Sequence, residues 1–290
     1  MITAKMVSEL REKSGAGMMD CKKALVETNG DMEKAMEFLR EKGISKAAKK
    51  SSRIAAEGIA KTFIKDNKAL IIEVNCETDF VSSNEKFQNF VTSIGNAILE
   101  SDAKTVEEAL KIKTDEGTVE DVIISNTATI GEKLSLRRIE VLEKNDDEIF
   151  GEYIHMGGKI AAITIVKGAN EEVAKDVAMQ AAAMKPEFLN ESEVPAERIE
   201  KEKEILKMQA IEEGKPAEIA EKMVAGRIKK FFKEICLEDQ AFIKDSGIDV
   251  KTYIKNNGGE LTNMVRYEVG EGMEKRKDDF AEEVMSQING

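Results

Sequence analysis

The sequence predicts an α+β protein in several parts: an N-terminal three-helix domain, two related α+β core subdomains, an antiparallel helical hairpin and a C-terminal helical module. Three observations carry this. Apolar residues recur at helical spacing through roughly the first 44 positions, a β-hairpin pattern followed by an amphipathic helix occurs twice, and a charged amphipathic segment turns back at Gly214-Lys215-Pro216.

In the first part, over 1–45, Thr3 stands where an N-cap belongs, ahead of Met6, Val7 and Leu10 on one face. SGAG at 14–17 stops that helix. A second, over 18–28, carries Met18, Cys21, Ala24 and Leu25 at 3- and 4-residue spacing. Asn29-Gly30 is a turn signal, and Asp31 caps a third helix with Ala35, Met36 and Leu39 inward. Gly43 is placed to end it. The basic, Ala- and Ser-rich stretch 46–57 reads as a linker with helical tendency.

The first core subdomain, 58–140, opens with IAKTFIK and KALIIEVNC around Asp66-Asn67, a β-hairpin. TDFVSSNEKFQNFVTSIGNAIL follows, with Phe87, Phe90, Val91, Ile94 and Ile98 on a helical stripe. Short helices and loops fill 101–132, and KLSLRRIEVLEK at 133–144 is another strand. The order then repeats: EIFGEYIHM and KIAAITIVKG form a hairpin through Gly157-Gly158, and a helix from Asn170 carries Val173, Val177, Ala181 and Met184. The correspondence of 58–99 with 149–185 is one of pattern, not identity. The second core subdomain takes 141–195 and 236–262. Between them, 196–235 makes the helical hairpin, a projecting arm in which Ile199, Ile205, Leu206 and Ile211 face Ile219, Met223, Ile228 and Ile235. The C-terminal module, 263–290, holds RYEVGEGMEK and a final helix with Phe280, Val284 and Ile288 on one side.

Composition narrows the function. The 290 residues are 41% hydrophobic and 34% charged with a formal charge of -12, which suits a soluble cytoplasmic protein and disfavours one living on phosphate contacts. The one basic-rich stretch, 46–53, is short and lacks interleaved aromatics, so no direct nucleic-acid partner is expected. The three cysteines, Cys21, Cys76 and Cys236, form no CxxC pair and read as thiols of a reducing compartment. No run of eighteen apolar residues and no leader-type N-terminus occurs, so no membrane association is expected. His155 is the single histidine, and neither a Walker-type phosphate loop nor GxGxxG after a strand is present. No enzyme activity, cofactor or metal is expected; the chain reads as one that works by contact. An RNA-binding protein and an enzyme with a Cys76 nucleophile are the competing readings.

The sharpest local feature is Glu77-Thr78-Asp79-Phe80-Val81, between a strand and an amphipathic helix. Either Thr78 or Asp79 caps the helix while Phe80 tucks into the core, or Phe80 stands exposed beside a carboxylate, suited to wedging into a partner. CETDFV at 76–81 resembles the hallmark signature of the elongation factor Ts family. REKSGAGMMDCKKAL and NGDMEKAMEFLREKG are similar to that family's N-terminal, ubiquitin-associated-like domain. RIAAEG at 53–58, HMGGKIAAITIVKG, MQAAAMKPEFL and RYEVGEGMEK resemble its later segments, in order along nearly the whole chain. Where the family often carries Arg after the paired small residues, this chain has Lys159.

The resemblance implies a guanine-nucleotide exchange factor for elongation factor Tu. It implies that Asp79 and Phe80 enter the partner's nucleotide-binding domain, with Phe80 as a wedge near the bound magnesium and with Thr78 and Val81 also among the partner-binding residues. It implies a second grip through Met19, Lys22 and Lys23, contact with another partner domain through His155 and Gly158, and a docking arm around Met273. Each of these has a plainer reading: ordinary helix-surface residues for the first three, a structural or solvent-facing His155, and a C-terminal helix packed back on the core. A monomer, a homodimer and a 2:2 complex with the partner are all compatible with the hairpin.

Overall fold

The computed structural model describes residues 2–274. Three helices open the chain: α1 (Ala4–Ser14), α2 (Met18–Glu27) and α3 (Met32–Ala48). Thr3 caps α1 through its hydroxyl and Asp31 caps α3 through its carboxylate, as their positions predict. Val7, Leu10, Cys21, Ala24, Leu25 and Ala35 form the small core. Two expectations fail here. Helix α3 runs past Gly43 to Ala48, because Gly43 does not take the left-handed cap conformation and lies buried close to Ala128. Met18 and Met36, expected inward, are exposed; Met6, Met32 and Phe38 pack against the core instead.

The first sheet pairs β1 (Glu57–Lys65) with β2 (Lys68–Cys76) across Asp66, whose φ of +53° makes the tight turn. The single-turn helix α4 (Asp79–Ser82) follows, and Asn84 caps a separate α5 (Glu85–Leu99), so the expected helix is in fact two. Then come α6 (Val106–Ala109), the small ladder β3 (Lys113–Thr114) and β4 (Gly117–Thr118), α7 (Val119–Ile130) and β5 (Ser135–Glu143). Strand β5 pairs with β2, giving the order β1-β2-β5. The five apolar residues predicted on the α5 stripe are all buried.

A second strand–strand–helix run holds β6 (Glu148–His155), β7 (Ile160–Lys167) and α8 (Glu171–Met184), capped by Asn170. With β10 (Glu260–Glu268) its sheet has the order β10-β7-β6, so the central strand of each sheet is the second strand of its hairpin. The sheets meet through Ala60, Ala69, Ile71, Leu142, Ala161, Ile163, Ile165 and Tyr267. This explains the apolar runs in KALIIEVNC and IAAITIVK: each central strand is buried on both faces, so period-2 alternation is lost.

Helices α9 (Ala196–Glu212) and α10 (Ala217–Ile235) form the hairpin. Near its tip the buried residues are Ala210 and Ala220, while Ile211 and Ile219, expected to face each other, are exposed. The large residues Ile228, Phe232 and Ile235 pack at its base with Ile199 and Leu206 against them. Lys207 pairs with Glu221 and Arg227 with Glu213, both at 2.7 Å. Beyond lie β8 (Ala241–Phe242), β9 (Asp245–Asp249), α11 (Val250–Asn256) and β10 (Glu260–Glu268). Strand β10 runs across the boundary expected at 263, so RYE of RYEVGEGMEK belongs to the second sheet. The helix expected around Phe280, Val284 and Ile288 lies outside the described residues. No helix among the described residues is long and apolar enough to cross a membrane.

Candidate functional site

Phe80 sits on α4 with 85% of its surface exposed, and Asp79 beside it is also exposed. The rest of the segment is held. Val81 packs against the first core, and the Ser82 hydroxyl donates to the Asp79 carbonyl at 2.9 Å. Thr78 caps the turn, its Oγ1 accepting from the Val81 N–H at 3.3 Å. Glu132, in the turn after α7, accepts three hydrogen bonds: from the Glu77 N–H at 2.9 Å, the Thr78 N–H at 3.0 Å and the Thr78 hydroxyl at 2.6 Å. In return the Lys133 N–H donates to Glu77 Oε1 at 2.6 Å, and Arg53 flanks Glu77 at 3.3 Å. Of the two dispositions left open for this segment, capping by Thr78 and exposure of Phe80 occur together.

Cys76, just before this turn, is buried, and its thiol donates to the Thr78 carbonyl at 3.1 Å. Burial, and after it the charge of Glu132, push the thiol up to about 12. A nucleophilic cysteine needs the thiolate, which this site disfavours. The reading of Cys76 as a nucleophile therefore loses its chemical basis.

The hairpin tip between β6 and β7 lies at the same end of the molecule. Gly158 is buried with φ of +100°; a Cβ there would meet Ile59 Cβ at 3.0 Å and the Ala60 carbonyl at 3.2 Å. Glycine is thus required both by the backbone and by the approach to β1. Lys159 pairs with Glu57, the residue opposite Cys76 in the β1–β2 ladder. The tip projects Met156, 72% exposed, beside His155, which is exposed and stacked on Tyr153 with ring centroids 6.0 Å apart. What Gly158 supplies is the turn that presents these two side chains, not a surface of its own.

On the N-terminal unit, Met19 (75% exposed), Lys22 and Lys23 all face solvent on α2. Asp20 between them turns to α3, where hydrogen bonds from Lys46 and then Lys42 hold its carboxyl below the usual range. Helix α3 packs on α7, with Arg40 bonded to Asp121 at 2.7 Å and Lys50 to the Gly131 carbonyl. Lys46 and Lys50 of the basic stretch are thereby engaged within the protein, which weakens the RNA-binding reading further. Met273 is half-buried, its N–H on the Gly270 carbonyl at 3.1 Å. Among the described residues, no three His, Cys, Asp or Glu side chains gather as a metal site would require.

Glu132 and Met156 escape sequence reasoning. Glu132 follows the helix-ending Gly131 but has no local motif, and its partners are 54 and 55 residues away. Met156 could have been found, since an apolar residue directly before paired glycines is set on a turn.

The sequence profile of the family described as "Elongation factor TS" matches residues 77–271. The chain is 54% identical to "Elongation factor Ts" of Lactiplantibacillus plantarum over 287 residues, covering 99% of this chain and 98% of that protein. It is 53% identical to "Elongation factor Ts" of Limosilactobacillus fermentum over 288 residues, covering 99% of each.

Proposed function

The chain belongs to the elongation factor Ts family and is a nucleotide exchange factor of translation elongation; from that premise we propose that it binds elongation factor Tu·GDP in the cytoplasm and wedges Phe80 in near the magnesium and nucleotide, promoting GDP release so that GTP can bind. One observation carries this reading: an aromatic ring left 85% exposed on a backbone that is otherwise pinned. An exposed Phe gains nothing in the free protein, whereas its burial in a partner yields about 1.5–3 kcal/mol.

Each 1.4 kcal/mol of differential binding changes an affinity about tenfold, so one ring supplies roughly a ten- to hundredfold effect. Larger effects need further contacts. The three-helix N-terminal domain, ubiquitin-associated-like in its resemblance, serves as a second grip through Met19, Lys22 and Lys23. The tip around His155 and Gly158 meets another domain of the partner, and the segment around Met273 serves as a docking arm. Asp79, Thr78 and Val81 accompany Phe80. Coupling is reciprocal: if this protein weakens GDP binding, GDP weakens the binding of this protein by the same factor, and nucleotide in turn releases it. No step requires a cofactor or a metal of the chain's own.

The test is stopped-flow release of a fluorescent GDP from elongation factor Tu. The chain accelerates release, and Phe80→Ala slows the accelerated rate by about tenfold or more. Undiminished acceleration by a folded Phe80→Ala variant would overturn the reading.

A further inference from the structure

We propose that Glu132 is a positioning residue for nucleotide exchange: its carboxylate sets the direction in which Phe80 leaves the molecule. This rests on the reading of Phe80 as the wedge. Helix α4 has four residues, too few to sustain a helix in isolation, so the aim of Phe80 depends on what holds the backbone around it. Toward solvent the ring has little to lean on. Toward the protein, the turn is held by Val81, half-buried against the first core, by the buried Ser82 and by the Glu132 carboxylate.

The clamp is built for holding. Glu132 takes two consecutive backbone N–H groups on Oε2 and the capping hydroxyl of Thr78 on Oε1. Charge-assisted bonds of this kind are stronger than neutral ones. The neighbouring Lys133 N–H closes the ring by donating to Glu77, so two segments more than fifty residues apart grip each other through two carboxylates. Glu132 is itself aimed by Gly131, which ends α7 in the left-handed region at φ of +91°. The Thr78 hydroxyl both donates to Glu132 and accepts from Val81, so the clamp reaches the residue next to Phe80 without touching the ring. Displacing a wedge by a fraction of a turn loses the fit that makes it effective, and misplacement of this kind costs on the order of ten- to a hundredfold in rate.

A brace of the fold and a positioning residue differ in one respect: the second acts only through Phe80. A double-mutant cycle reads that difference. Maximal stimulated GDP release from elongation factor Tu is measured for the wild type, Glu132→Ala, Phe80→Ala and the double variant, at a temperature where melting curves show all four folded. Glu132→Ala is expected to slow the maximal rate about tenfold, with the half-saturating concentration moving less than about threefold, because the remaining docking contacts are intact. In the Phe80→Ala background the same change costs less than about twofold. Glu132→Gln, which keeps the shape with one acceptor oxygen fewer, falls between, and it carries the cycle if the alanine variant does not fold. Equal losses in both backgrounds, or no loss with Phe80 present while Phe80→Ala is impaired, would overturn this inference and leave the wedge standing. An unimpaired Phe80→Ala would remove both.

Discussion

At the scale of single residues, the free protein and its proposed partner make opposite demands on Phe80. Its ring takes no part in the core, so Phe80→Ala should leave the thermal midpoint of the chain within the change expected for about 0.5 kcal/mol, while slowing exchange. Calorimetry beside the exchange assay checks this, and a large loss of stability would mean that the ring serves the fold. Cys76 behaves in the reverse manner. Its thiol, raised to about 12 by burial and then by Glu132, stays protonated at pH 8, so it should resist a thiol-alkylating reagent in the native chain and react on unfolding. Mass spectrometry of native and denatured samples distinguishes the two. CETDFV was readable as a cap followed by an aromatic because both are local. That Glu132 meets Thr78 was not, because residues 54 apart in sequence carry no shared pattern.

At the scale of elements, two glycines inside helices make opposite forecasts. Gly43 lies within α3, and a Cβ there would meet Ala128 Cβ at 3.5 Å, an ordinary contact. Gly43→Ala should therefore stabilise the chain by about 0.5–1 kcal/mol through the backbone entropy that glycine loses in a helix. Gly95 lies within α5, where a Cβ would come within 2.1 Å of the Phe63 ring. Gly95→Ala must displace a buried aromatic and should destabilise by about 1–3 kcal/mol. Chemical denaturation of both variants reads the signs; stabilisation by Gly95→Ala would show the β1–α5 contact to be slack. The sequence pattern placed Gly43 at a helix end because a glycine after a periodic stretch commonly marks one. Only packing against α7 shows why the helix continues. The hairpin teaches the same at its tip, where alanines bring α9 and α10 together and the isoleucines beside them face solvent.

At the scale of the molecule, Glu73 ties the sheets and the chain exit together. It is fully buried on β2 and accepts from Arg137 Nη1 at 2.9 Å, Arg138 Nε at 2.6 Å, Asn75 Nδ2 at 3.0 Å and the Gly270 N–H at 2.8 Å. The same arginines reach the carbonyls of Glu268, the last residue of the second sheet's β10, and of Glu271 just beyond it. Burial alone raises the Glu73 carboxyl, but the bonds from Gly270, Arg137 and Asn75 outweigh it, and the net is below the ordinary value of 4.5. A carboxylate depressed in the folded state contributes stability above its unfolded pKa and loses it as the pH falls through the folded one. Glu73→Gln should thus cost about 2 kcal/mol at neutral pH, discounted because the arginines are 24% and 29% exposed. Its midpoint should fall less steeply than the wild type's below pH 4.5. Parallel curves of melting temperature against pH for the two proteins would refute the assignment.

The sequence by itself determined the three N-terminal helices, the twice-used hairpin and helix, the N-caps at Thr3 and Asp31, and the family signature around Phe80. All of these depend on residues within a few positions of one another, where periodicity and capping chemistry act. The tertiary structure alone decided that Phe80 faces outward, that Glu132 and Glu77 clamp its base, that β10 joins the second sheet, and that Glu73 gathers two arginines. Those outcomes turn on which surfaces remain for water after two sheets have buried each other, a quantity that no stretch of sequence holds alone.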